Sequence, residues 1–406
     1  MTEGVQRNAR ILSTEAGTTA RERACAYLAD SDVAAALAAA ETSLAVVACD
    51  ANEAGAVACA LRAAGAFAQA GEGRVVFAGT RDALAGARSA LEGAARALVD
   101  ELARAFDAAR SRPARLRARA VTLDFTTRAN VMGILNVTPD SFHDRGRYSG
   151  VDRARERAAE MAALGAEVID IGGQSYAHWN PRIAAEEERE RVLPVVRALV
   201  RDNIGVALSI DTFRASVAEA ALDAGAHMIN DCSGLSDDAL AGVVARYGAA
   251  LVVMHISGEL NVRAAAYAYD DAMAEILDFL RERTDRVLRA GVAADAIVID
   301  PGLEFGKEPR VDLEILARFG DLRSLGYPIL FAASRKSFIG RIFARPSEEL
   351  LAPSLAASAL GVLAGAGLVR VHDVAETVQV ATMLAAVRAE RRATLGFATR
   401  MPGTPE

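Results

Sequence analysis

Between residues 131 and 371 the chain repeats one pattern eight times: a run of five or six mostly apolar residues, then a helical stretch. The runs are VMGIL (131–135), EVIDI (167–171), GVALSI (205–210), AHMIN (226–230), AALVVM (249–254), AIVID (296–300), PILFAA (328–333) and GLVRV (367–371). Short segments that are apolar throughout, with no polar alternation, suit strands of a parallel sheet covered on both faces. The intervening stretches, such as VDRARERAAEMAALG, RASVAEAALDAG and DAMAEILDFLRERTDRVLRAG, are amphipathic and each closes on a glycine fit to end a helix. Eight strand–helix units over this length predict a (β/α)8 TIM barrel. A doubly wound open sheet is the alternative, and no GxGxxG follows the first run to favour it.

In such a barrel, chemistry gathers at the C-terminal ends of the strands. There the sequence places Asn136, Asp170, Asp211, Asn230 with Asp231, His255, Asp300, Ser334-Arg335-Lys336, and Arg370 with His372. Each alone has a plain structural explanation; Asp211, for instance, could cap the following helix. Together they describe a rim. Asp211, Asn230 and Asp300 offer acceptors and a mixed donor–acceptor suited to a flat heterocycle with several N–H groups. Lys336, Arg370 and His372 read as a cationic corner for phosphate or diphosphate. Asn136 is a neutral oxygen that can share a Mg²⁺ with phosphate oxygens. No Ser-His-Asp order is convincing, and Cys232 reads as pocket wall.

Residues 1–120 predict a small α/β extension. SLAVVAC (43–49) and GRVVFAG (73–79) are its strands, NEAGAVACALRAAGAF one helix, and TRDALAGARSALEGAARALVDELARAF one long helix capped by Thr80 or Asp82. SRPARLRARA (111–120) reads as a solvated basic linker, the barrel as residues 121–395, and 396–406 as a disordered tail. No catalytic cluster falls in the extension. The net charge of −7 argues against a nucleic-acid-coating surface. No apolar run reaches membrane-spanning length and the N-terminus lacks a signal-peptide core, so a cytoplasmic protein without a membrane partner is expected. Four unpaired cysteines, Cys25, Cys49, Cys59 and Cys232, fit buried reduced thiols.

The motifs MGILNVTPDSF (132–142), GAEVIDIGG (165–173), SIDTFRASVAEAALDAGAHMINDCSG (209–234), MHISG (254–258), DPGLEFGK (300–307), SRKSFIG (334–340) and RVHDV (370–374), in that order, resemble dihydropteroate synthase. The resemblance runs from about residue 121 to residue 390. It implies a folate-pathway transferase joining 6-hydroxymethyl-7,8-dihydropterin diphosphate to 4-aminobenzoate, with diphosphate released by early carbon–oxygen cleavage. It implies catalytic roles for Asp211, Lys336, Arg370 and His372, and substrate contacts from Asp170, Asn230, Met254, Asp300, Phe305, Ser334 and Lys336. It also implies Mg²⁺ held with Asn136, and a homodimer.

Two departures fall on the acceptor side. The family's second loop reads GGESTRPG, whereas here it is GGQSYAHWNP (172–181), with no arginine. The family's Asp-Pro-Gly-x-Gly-Phe-Gly-Lys segment has Glu304 in place of its second glycine. His143 and Arg145 in the first loop, and Gln174, Ser175, Tyr176, His178, Arg182 and Glu304, are therefore expected around the arylamine. Trp179 either closes over the substrates or packs the loop onto the rim. Two readings of the acceptor stand. In one, 4-aminobenzoate is used and Arg182, Arg145, Ser334 or Lys336 holds its carboxylate; in the other, the arylamine differs. Both predict weak sulfonamide binding. The competing functions are a pterin-dependent methyl transferase, for which the diphosphate corner has no use, and a non-catalytic pterin-binding protein.

Overall fold

The repeating strand–helix pattern builds a closed barrel in the computed structural model, which describes residues 9–13, 43–49, 51–71, 74–110, 113–137, 150–174, 182–258, 260 and 269–394. Its strands are β7 (Asn130–Asn136), β8 (Val168–Gly172), β9 (Ala207–Asp211), β10 (Met228–Asp231), β11 (Ala250–Met254), β12 (Ile297–Asp300), β13 (Leu330–Phe331) and β14 (Leu368–Val371). They pair in parallel in the order β12-β11-β10-β9-β8-β7-β14-β13. A parallel bridge between Ile299 and Ile329 closes the ring. Strands β8 to β12 are buried along their whole length, as runs covered by helices outside and packed side chains inside must be.

Helices α4 (Gly150–Ala163), α5 (Ala185–Arg201), α6 (Ala215–Asp223), α7 (Leu240–Tyr247), α8 (Ala272–Arg289), α9 (Pro309–Ala317), α10 (Ser337–Phe343), α11 (Leu351–Ala364) and α12 (Val374–Thr394) alternate with the strands. The glycines expected to end three of them, Gly165, Gly225 and Gly291, all have positive φ (+97°, +109° and +96°), a region open to a residue without Cβ. None of the helices among the described residues is long and apolar enough to cross a membrane.

The basic stretch expected as a linker is instead a hairpin, β5 (Arg115–Ala118) paired antiparallel with β6 (Val121–Asp124). Its arginines alternate with Leu116 and Ala118, and these two apolar side chains, with Leu123, pack onto Met132, Val168, Ala207, Met228, Ala250, Val298, Leu330 and Leu368. Those partners lie in the barrel strands, so the hairpin stoppers the end opposite the catalytic rim. Arg119, at the turn with φ +56°, donates to the carbonyls of Leu222 and Ala226, both at 2.8 Å.

The chain divides into two compact units, one comprising residues 113–317 and 327–406, the other 1–112 with 318–326. The boundary thus precedes the hairpin that sequence alone assigned to the seam. In the second unit, β1 (Ala9–Ser13), β2 (Ser43–Ala48), β4 (Arg74–Gly79) and β3 (Phe67–Gly71) form an antiparallel sheet in the order β1-β2-β4-β3. Its helices are α1 (Ala51–Ala63), α2 (Arg81–Ser89) and α3 (Gly93–Arg110), packed around Leu61, Phe77, Leu84, Leu98, Leu102 and Phe106. Three details correct expectation. The first helix stops at Ala63, and Phe67, expected as its last residue, opens the strand Phe67–Gly71. The single long helix is two, broken where Gly93 takes φ +56°, with Thr80 capping the first through Ala83 N at 3.2 Å. Cys59 is exposed, whereas Cys49 and Cys232 are buried. The predicted tail lies outside the described residues.

Candidate active site

Strand register fixes the floor of the site. Asp170 stands beside Ser209 across the β8–β9 ladder, and Asp211 beside Asn230 across β9–β10, so four polar residues of three strands stand at two successive levels, Ser209 and Asp211 on the same face of β9. Asp170 Oδ1 accepts from Ser209 Oγ at 2.6 Å. Its Oδ2 accepts from Asn230 Nδ2 at 2.9 Å and from Arg370 Nε, on β14, at 2.7 Å. Arg370 Nη2 donates to Asp211 Oδ2 at 2.8 Å, and the Cys232 thiol to Asp211 Oδ1 at 3.2 Å. Asp211 is therefore no helix cap; the first N–H of α6, that of Ala215, is taken by Asp237. Asp170, expected to touch substrate, is 0% exposed. Its carboxylate is shared among Ser209, Asn230 and Arg370. Asp231, also at the rim in sequence, turns to its own loop and accepts from Ser233 N and Leu235 N.

Two buried carboxylates on one guanidinium set the charge. Burial, and then the neighbouring Asp170, push Asp211 up to about 7, against the pull of Arg370. Burial works against the Arg370 charge, but Asp170 and Asp211 more than offset it and its pKa rises. His372 is lowered to about 4 by burial and by Arg370. It is neutral at pH 7, so the cationic corner expected from sequence consists of Lys336 and Arg370 only. Burial raises the Cys232 thiol well above its ordinary range, with Asp211 adding to the effect. Cys232 is a protonated donor and no nucleophile.

Across the barrel, Asp300 ends β12, buried, with Oδ1 accepting from Gly302 N at 2.7 Å. Burial raises its pKa, opposed by Lys336. Lys336 Nζ donates to Leu303 O at 2.6 Å and lies 5.1 Å from the Phe305 ring centroid. Cys232, Met254, Ile256 and Leu260 form an apolar wall with Phe213 and Phe305 packed on it. Ser334 Oγ accepts from His372 N at 3.3 Å. Arg335 grips Asp373 through Nε and Nη2 (2.8 and 2.7 Å), tying the loop that carries Lys336 to the end of β14.

Sequence reasoning missed Lys307. Its Nζ donates to the carbonyls of Gly302 (2.6 Å), Phe305 (3.2 Å) and His255 (3.3 Å), binding two rim loops together. Burial lowers it to about 7 and raises its neighbour Asp312 to about 6. The signal was the lysine closing DPGLEFGK, which a reader takes for a solvated loop end.

On the acceptor side, Gln174 is buried and its Oε1 accepts from Arg214 Nη1 at 3.0 Å. Arg214 also pairs with the buried Glu188 and donates to Ile183 O at 2.6 Å. Arg182 donates to Leu260 O at 2.6 Å, its guanidinium carbon 5.9 Å from the Phe213 ring centroid. The second loop is thus held at both ends beside the apolar wall. Glu304, expected against the acceptor, has φ +70°, which costs a residue with a side chain roughly 1–2 kcal/mol. Its carboxylate accepts from Phe338 N at 2.9 Å instead. His143, Arg145, Ser175, Tyr176, His178 and Trp179 lie outside the described residues. Asn136 is exposed at the end of β7, its Oδ1 3.5 Å from where a Cβ on Gly172 would stand. Among the described residues no group of three or more His, Cys, Asp or Glu side chains converges to hold a metal.

Fold and rim together define a TIM-barrel enzyme whose open end joins a buried acid–guanidinium network to a lysine set over an aromatic ring. Residues 132–372 match the family described as pterin binding enzyme, and the chain belongs to that family, among its dihydropteroate synthases. The dihydropteroate synthase of Bacillus subtilis (strain 168) is 38% identical over 273 residues, covering 67% of this chain and 93% of that protein. The Xanthomonas albilineans dihydropteroate synthase solved with 4-aminobenzoic acid superposes with a TM-score of 0.64 at 40% identity, over 68% of this chain and 99% of that one. The Yersinia pestis enzyme solved with a sulfonamide drug complex gives 0.63 at 38% identity, over 68% and 99%.

Proposed function

We infer that the barrel condenses 6-hydroxymethyl-7,8-dihydropterin diphosphate with 4-aminobenzoate, yielding 7,8-dihydropteroate and diphosphate. The observation that carries this reading is the Asp170–Arg370–Asp211 network at the rim of a barrel of this family. Asp211, Asn230 and Asp300 line the pterin, with Met254 and Phe305 against its faces. Lys336 and Arg370 supply fixed positive charge as the carbon–oxygen bond breaks and its electron pair leaves with diphosphate. The arylamine nitrogen then bonds to the methylene carbon and gives up a proton. Preorganised charge of this kind is the expected main source of rate, and the protonated Cys232 supports a path without a protein nucleophile. Neutral His372, whose backbone N–H is held by Ser334 Oγ, adds no charge to this corner.

Asn136 fits a Mg²⁺ that takes its remaining oxygens from diphosphate and water, the usual arrangement for this ion. Bound there, Mg²⁺ would neutralise leaving-group charge. Arg182, beside Phe213, is the described residue best placed to meet the acceptor carboxylate in the absence of the second-loop arginine. We expect sulfonamides to bind weakly for the same reason. One steady-state assay tests these points, measuring diphosphate release with and without Mg²⁺ over a panel of arylamines, with a sulfonamide as inhibitor. Release should depend on 4-aminobenzoate, and Arg182→Ala should raise the acceptor KM about tenfold with the pterin KM unchanged. Release independent of any arylamine, or tight sulfonamide inhibition, would count against the reading of the reaction or of the remodelled acceptor subsite respectively.

Ile342 and Phe343 on α10, Leu360 and Leu363 on α11, and Met383 and Val387 on α12 are each more than half exposed. A second copy of this chain covering these helices accounts for them, in a cytoplasmic homodimer; a monomeric mass in light scattering at micromolar concentration would rule it out.

A further inference from the structure

Two bonds cross between the loop after β12 and the segment after β13. Leu303 O accepts from Lys336 Nζ at 2.6 Å, and one residue on, Glu304 Oε1 accepts from Phe338 N at 2.9 Å. Lys336 is the residue immediately before α10 and provides no side-chain cap. The glutamate therefore satisfies, from 34 residues away, an N–H that the helix start leaves open.

The loop that carries Glu304 is a firm platform. A Cβ built on Gly302 or Gly306 would fall 1.8 Å from the carbonyl oxygen of His255 or Ser257, so backbone lies directly on backbone there. Glu304 N donates to the buried Asp312 at 2.8 Å, pinning the residue at its main chain as well as its carboxylate. A glycine would hold the φ of +70° with less strain. The side chain that occupies this position instead reaches the backbone of α10, two residues beyond the lysine.

We propose that Glu304 is a positioning residue for Lys336, clasping the first turn of α10 to the loop after β12 so that the ammonium is held over Phe305 and beside Asp300. The proposal rests on the reading of Lys336 as a pterin diphosphate ligand, but the clasp itself can be observed without substrate.

The test compares Glu304→Gly, which relieves φ and removes the carboxylate, with Glu304→Gln, which keeps an acceptor oxygen. In the ligand-free full-length protein, the Phe338 amide of Glu304→Gly should exchange with solvent about tenfold faster, with the melting temperature equal to the parent's or higher. With substrates, kcat/KM for pterin diphosphate should fall about tenfold in Glu304→Gly and recover to within about threefold in Glu304→Gln, the acceptor KM staying constant. Unchanged Phe338 exchange in Glu304→Gly overturns the clasp, whatever the enzyme turns over. Faster exchange with parental kcat/KM, or Glu304→Gln as impaired as Glu304→Gly, overturns the positioning role. Failure of the parent to turn over the pterin diphosphate contradicts the reaction and the role together, and leaves the exchange result to decide the clasp alone.

Discussion

The floor proposed to hold the pterin and the rim proposed to meet the acceptor are built on different physical terms. The floor draws on β8, β9, β10 and β14, and its polar atoms are spent on one another: Asp170 alone accepts three hydrogen bonds while fully buried. At the rim, described residues such as Arg182 and Gln174 secure the two ends of a loop. Rigid strands can specify a heterocycle through fixed donors and acceptors, and loops can be exchanged on such a floor without disturbing it. The departures from the family pattern at 174–178 fall on the side where the scaffold tolerates them.

The hardest way to break this contrast is to attack the floor. Arg370→Met leaves Asp170 and Asp211 buried without their cation, and should lower the unfolding free energy by about 3 kcal/mol or more in urea titration. A loss below about 1 kcal/mol would show the network to behave like an exposed ion pair. A smaller effect sharpens it. Asp211 rises to about 7 in the folded chain from an ordinary value of 3.8, so the native state holds its proton more tightly than the unfolded state does. Its contribution to stability is full below the ordinary value and is lost as pH rises through about 7. Thermal melts between pH 4 and pH 8 should show a decline that flattens in Asp211→Asn; parallel profiles would place the pH sensitivity elsewhere. The rim substitution Arg182→Ala should leave both floor measurements unmoved.

The barrel was legible because strands buried on both faces read as mostly apolar runs, and the eight runs fall within a few residues of the eight strands. The floor was legible as a set of residues, since Asp170, Asp211, Asn230 and Arg370 end strands or lie within them, as Asp300 does across the barrel. Their division of labour was not. Which neighbours a strand aspartate meets depends on inter-strand register, so the bonds of Asp170 to Ser209, Asn230 and Arg370 appear only in the folded chain. The bond from Phe338 N to Glu304 was hidden for a similar reason, since the two residues are adjacent only after folding. The 115–124 hairpin was hidden differently. Its alternation of arginine with Leu116 and Ala118 is a period-two signal, and the charge density drew attention from it.

That hairpin bears on where the barrel can be cut. A fragment starting at residue 121 would retain every strand of the barrel yet strip Leu116 and Ala118 from the cluster of Met132, Val168, Met228 and Leu330 at the closed end. A stand-alone barrel is therefore expected to need the hairpin from Arg115 onward, since the strip of arginines that looks dispensable carries part of the barrel's own core.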